Sequence, residues 1–165
     1  MYQKGDYINY SGQGICQVKD IRSMDFRTGA GARDYYILSP VNQDGTVFYL
    51  PQEGADARSR RLLTREEING ILSGICDAQM LWIPDRKQRT EEFHKILSRR
   101  DTGELLLLAA CLHQHQLEKA LSTADRETLR RVEGMIEQEF SLVLGLQASE
   151  ISSYILGKLA ERSTP

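Results

Sequence analysis

Apolar and polar positions alternate in twos through the first third of the chain and in helical steps through the remainder. Asp6-Tyr-Ile-Asn-Tyr10 reads as a strand and is followed by a turn, Ser11-Gly12-Gln13-Gly14. Ile15-Cys-Gln-Val-Lys-Asp-Ile21 then sets Ile15, Gln17, Lys19 and Ile21 against Cys16, Val18 and Asp20, the period of a strand with two faces. A Gly-rich stretch, Thr28-Gly-Ala-Gly-Ala32, leads to Tyr35-Tyr-Ile-Leu38. Asn42-Gln-Asp-Gly45 is a hairpin turn of the Asp-Gly kind that opens onto Thr46-Val-Phe-Tyr-Leu50, which Pro51 stops. Four or five short strands in about 50 residues predict a small, strongly bent sheet or barrel.

Beyond Pro51 the period changes. Thr64-Arg-Glu-Glu67 is a capping box, followed by a stripe of Ile68, Ile71, Leu72 and Ile75. The spacing predicts a helix from near Asp85 to Ser98 with Phe93, Ile96 and Leu97 inward. Asp101-Thr102-Gly103 breaks the chain before an apolar helix from Glu104 to about Leu117. Ser122 opens a long helix carrying Leu129, Val132, Met135, Ile136, Phe140 and Val143, and Gly145 is placed to end it in a left-handed conformation. Ser149 is read as the cap of a last helix with Ile151, Tyr154, Ile155 and Leu159. The expected fold is therefore α+β, a small bent β-barrel over residues 1–53 followed by an all-α bundle of four to five helices over 54–165.

Composition narrows the function. The chain has 165 residues, 41% hydrophobic and 27% charged, as in a globular protein. No apolar run approaches the roughly 20 residues that span a bilayer, and the N-terminal residues do not form a signal peptide, so a cytoplasmic location is expected. Cys16, Cys76 and Cys111 are odd in number and far apart, which predicts buried free thiols rather than a disulfide framework or zinc site. His113 and His115, two apart on a helix, point in different directions, so no metal site is expected. Neither a GxSxG elbow nor a phosphate-cradling loop is present, and the carboxylates read as solvent-facing. An enzyme, a cofactor or a small-molecule substrate is not expected.

Charge matters by its distribution. The net charge is −2, yet Arg86, Lys87, Arg89, Lys95, Arg99 and Arg100 outnumber Glu91 and Glu92 in one stretch, and Arg58, Arg60, Arg61 and Arg65 form a second cluster. Such asymmetry gives either one positive face on an acidic protein or a solvated helix face with internal pairs. Trp82, the single tryptophan, immediately precedes the first of these runs. It is readable as a core anchor or as an apolar wedge beside phosphate-binding cations.

Lys4-Gly5-Asp6-Tyr-Ile-Asn-Tyr10, Gly14-Ile15-Cys16, Tyr35-Tyr36-Ile37-Leu38 and Thr46-Val-Phe-Tyr-Leu-Pro51 resemble the N-terminal module of the CarD family of bacterial transcription regulators. Trp82, Arg89, Leu121-Ser-Thr-Ala-Asp-Arg-Glu-Thr-Leu129, Glu139-Phe140 and Leu144-Gly145 resemble its helical domain. The resemblance implies a Tudor-like barrel that docks on the RNA polymerase β subunit. It also implies a helical domain that meets promoter DNA at the upstream edge of the melting bubble and favours the open complex. By that likeness Trp82 is a minor-groove wedge, and Arg86, Lys87, Arg89, Arg99 and Arg100 are candidate phosphate contacts. Arg22, Met24, Phe26 and Tyr49 fall on the polymerase-facing edge, Met24 and Tyr49 standing where better-known members carry basic residues. From the residues themselves, Phe26 and Tyr49 are as readable as barrel core or edge cover as they are as interface residues. A protein adaptor on the polymerase without DNA contact is the alternative.

Overall fold

The computed structural model describes residues 1–27, 29, 31–75 and 79–163, with residues 156 and 159–163 by backbone alone. Cys76 lies outside the described residues, as does the side chain of Leu159. The chain forms two compact units, Met1–Leu62 and Leu63–Pro165.

In the first unit, five strands make one antiparallel sheet in the order β4-β3-β2-β1-β5. These are β1 (Tyr7–Tyr10), β2 (Gly14–Met24), β3 (Arg33–Pro40), β4 (Phe48–Pro51) and β5 (Ser59–Arg61), with a single helical turn, α1 (Ala55–Arg58), before β5. The first hairpin turns where expected. Gly12 and Gly14 have φ of 83° and 87°, and the Gln13 N–H donates to the Tyr10 carbonyl at 3.0 Å. The core is Ile8, Cys16, Val18, Tyr36, Leu38, Leu50 and Ala55, with Tyr2, Tyr10 and Phe48 packed against it.

Two expectations are corrected here. The first domain extends beyond residue 53, because β5 pairs with β1 (Ile8 opposite Arg61, Tyr10 opposite Ser59) and belongs to the sheet. Its Ser-Arg-Arg sequence has no apolar alternation, so nothing in the pattern marks it as a strand. Among the described residues the ladders run β4-β3-β2-β1-β5 as one antiparallel sheet. Strict alternation along β2 is broken as well. Val18 pairs with Leu38 but Asp20 with Ile37, leaving Lys19 as the extra residue of a bulge.

The second unit has five helices: α2 (Arg65–Ile75), α3 (Arg86–Arg99), α4 (Thr102–Glu118), α5 (Thr123–Leu144) and α6 (Ala148–Ser163). The capping box forms in full, Thr64 Oγ1 accepting from the Glu67 N–H and Glu67 Oε1 accepting from the Thr64 N–H, each at 3.1 Å. Asp85, Asp101 and Ser122 accept from the N–H groups of Gln88, Glu104 and Asp125 and so start α3, α4 and α5. Asp101 is thus a cap, and Gly103 lies inside the helix that it opens. Gly145, with φ of 68°, ends α5. The last helix starts from Gln147, not Ser149: the Gln147 N–H donates to Glu150 Oε1 at 3.3 Å and the Glu150 N–H to the Gln147 carbonyl at 2.9 Å. Phe140, Ile68, Leu72, Leu108, Leu112, Val132 and Ile151 are the largest sealed side chains of this core. Two acidic residues expected on the surface are inside it: Asp125 is 6% exposed, and Glu139 is 3% exposed and accepts from the Leu63 N–H at 2.9 Å.

Candidate functional site

In the first unit, the solvent face of β2-β3-β4 gathers aromatic side chains. Cross-strand partners share a face, so the register puts Arg22 beside Tyr35 and Tyr49 beside Ile37. Phe26, just past β2, reaches back over them, its ring 5.0 Å from Tyr35 and 5.4 Å from Tyr49, both edge to face. Phe26 and Tyr49 are each 45% exposed. Neither is core. Met24, half-buried, and Arg22, exposed, lie on the same side, two residues apart along β2. Arg22 donates to Asp20 at 2.7 Å, and this bond, with one from the Ile21 N–H, holds the Asp20 carboxyl below the usual carboxylate range. The four residues singled out in the sequence are brought together. Tyr35 and Ile37 complete the face and escape the sequence reading, although counting in twos from Leu38 would have found Ile37's side.

The same unit carries the decisive likeness. Residues 2–63 match the family model described as the CarD-like/TRCF RID domain. Residues 2–63 are a CarD-like RID domain. The match covers the sheet unit from its first strand through β5, and the helical unit lies beyond it. No curated protein matches the chain. A CarD-like RID domain is an RNA-polymerase-interacting, transcription-related module that belongs to a non-enzymatic family, and the partner it implies is the polymerase β subunit.

In the helical unit that follows this CarD-like RID domain, Trp82 is half-buried against the core in the segment that precedes α3. The His115 imidazole lies parallel to the indole, with centroids 3.5 Å apart and planes 3° apart. The Arg89 guanidinium carbon stands over the ring at 4.6 Å. An imidazole at stacking distance fills one face, so the guanidinium takes the other, a cation–π contact. Phe93 meets the ring edge to face at 6.4 Å.

Arg89 is the cation that the structure removes from the surface. It is 8% exposed, and it pairs with buried Asp125 through Nε to Oδ1 at 3.3 Å and Nη2 to Oδ2 at 3.2 Å. Its Nη1 donates to the carbonyls of Ile83 (3.1 Å) and Pro84 (3.2 Å). Buried and with its donors turned inward, Arg89 positions the Trp82 segment on α5 and is not placed to meet phosphate. Arg99 is exposed but forks onto Glu104 at 2.9 and 2.6 Å, with Glu92 at 3.8 Å. That pair pushes the Glu104 carboxyl down and Arg99 up. Arg100 caps α3 in the left-handed conformation, with φ of 53°.

Arg86 and Lys87 are exposed in the first turn of α3, just past the Asp85 cap and without an acidic neighbour in that turn. Cations there oppose the helix dipole, at a cost of about 0.3–1 kcal/mol each. A local rule broken on an exposed helix start is where a binding role is expected. His115 reads in sequence only as a residue unable to share a metal with His113, since its contact with a residue 33 positions earlier has no local signature. Among the described residues, no His/Cys/Asp/Glu group could hold a metal, and no helix is long and apolar enough to cross a membrane.

Proposed function

We propose that this chain regulates transcription by docking its RID domain on the polymerase β subunit through the Phe26, Tyr35 and Tyr49 face, with Arg22 and Met24 beside it. The helical unit then lays the Trp82–Lys87 segment on promoter DNA near the upstream edge of the bubble, touching minor groove and phosphates, and stabilises the open complex. The observation that carries the DNA half is the pairing of a partly exposed apolar segment with two exposed cations, Arg86 and Lys87, at the positive end of α3. The net charge of −2 disfavours binding to free DNA. Tethering removes that difficulty, because the polymerase raises the effective local concentration of promoter. A bias of about 1–2 kcal/mol shifts an open-complex equilibrium roughly five- to thirtyfold, enough for regulation without chemistry.

The commitment of Arg89 and Arg99 to carboxylates favours one other reading, an adaptor that binds polymerase and a second protein without DNA. The double charge reversal Arg86→Glu, Lys87→Glu separates the two. On the DNA reading it shortens open-complex lifetime on a polymerase-bound promoter while capture of the β subunit is retained. An unchanged lifetime would favour the adaptor.

A further inference from the structure

We propose that the outward face of α4 is a self-association surface. A second copy of this chain packs its own α4 there, antiparallel, and Leu117 of each copy fills a groove in the other. The inference stands apart from the DNA reading and does not depend on it. α4 carries two apolar seams where a surface helix needs one. Leu105, Leu108 and Leu112 are buried and belong to the core. Leu107, Ala110, Gln114 and Leu117 recur at the three-four-three spacing of a coiled-coil seam on the opposite side, half-buried at Leu107 and exposed at the other three. Leu117 is 82% exposed. A groove of about 290 Å³ runs along this face, lined by Met80, Leu81, Leu107, Ala110, Cys111 and Gln114. Leu81, on its wall, is 75% exposed. Apart from Met1, these two leucines are the most exposed large apolar side chains among the described residues.

The shape suits a like partner. Leu107, Ala110, Cys111 and Gln114 stand at i, i+3, i+4 and i+7, the outline of the hole that receives a knob from a facing helix. Leu117 follows on the same side and is such a knob. Seated between Ala110 and Cys111 of a second copy, it puts Gln114 on the twofold axis, and the same contact is returned on the other side of that axis. The chemistry agrees. Between Glu104 and Glu118, α4 contains no Lys, Arg, Asp or Glu. A charge close to a twofold axis meets itself and repels. The Gln114 amide carries donors and an acceptor, so it can pair with its own copy. Phosphate finds no cation in this seam, and a charged peptide finds only the Glu118 carboxylate among the lining residues. An uncharged apolar helix is the occupant that fits, and α4 itself is one. Three turns of one helix make less than a standard interface, so the association is weak, with Kd on the order of 10–100 μM.

Sedimentation equilibrium of the full chain, over about two decades of concentration centred near ~50 μM, tests the proposal. The mass is expected to rise from the monomer value of 18.8 kDa toward twice that. Leu117→Lys puts a cation on an exposed site near a helix C-terminus, where it is tolerated, and is expected to weaken self-association at least about tenfold with the thermal midpoint unchanged. Gln114→Glu and Gln114→Lys are each expected to stay monomeric, and an equimolar mixture of the two to recover the dimer, because opposite charges then meet across the axis. A parent chain that stays monomeric throughout overturns the proposal. So does a dimer indifferent to Leu117→Lys, or a Gln114 mixture that remains monomeric. If the parent is monomeric and Leu117→Lys loses capture of polymerase holoenzyme, the groove belongs to the polymerase instead.

Discussion

Arg89 and Asp125 show how one buried ion pair fixes a surface segment. Each has its charge answered by the other, and further guanidinium donors close on two carbonyls, so neither can be removed alone. Arg89→Ala leaves the Asp125 charge buried and unpaired and is expected to destabilise the helical unit by about 3–5 kcal/mol, measured by urea unfolding. Arg89→Lys keeps the charge but loses the planar fork, so its stability should fall between parent and alanine variant and it should release Trp82, visible as a shift of indole fluorescence. The thiols give a second prediction at this scale. Burial pushes both Cys16 and Cys111 up from the ordinary thiol value, so they stay protonated at neutral pH and are poor nucleophiles. Alkylation followed by peptide mass spectrometry should label both slowly in the native protein and fast in denaturant. Labelling of either at the rate of a free thiol would contradict its burial.

Helix ends are where the sequence speaks most plainly. Capping residues act on backbone groups three positions away, so Thr64 with Glu67, Ser122 and Gly145 are readable without tertiary knowledge and fall where expected. Gly145→Ala should cost about 1–2 kcal/mol, because φ of 68° is strained for any residue with a Cβ; a thermal melt of the full chain checks it. What stays hidden depends on distant partners. Three-residue β5 is a strand only because β1 offers it a ladder, and Glu139 is buried where the Leu63 amide needs an acceptor. Arg89 reads in sequence as one cation among six. Nothing local distinguishes it from Arg86, and only Asp125, 36 residues away, decides the difference. The start of the last helix is hidden for a milder reason, since Ser149 is the better cap by residue type and Gln147 stands in its place.

At the scale of the molecule, two units with different physics share one chain. The side proposed to face the polymerase is mainly aromatic, with Arg22 already paired to Asp20. Phe26→Ala with Tyr49→Ala is expected to weaken β-subunit capture at least about tenfold, since aromatic anchors dominate such interfaces, and to leave folding intact because both are exposed. Capture by the parent chain should survive raised salt, whereas the effect on the promoter should fade as phosphate contacts are screened. One last consequence comes from the bulge at Lys19. It stores one residue of slack in β2, so deleting a single residue between Val18 and Arg22 can be absorbed by ironing the strand flat, with Arg22 still opposite Tyr35. An insertion at the same place has no such reserve and turns everything downstream inside out. Tolerance to length change here is expected to run in one direction only: shorter chains keep their grip and longer ones lose it.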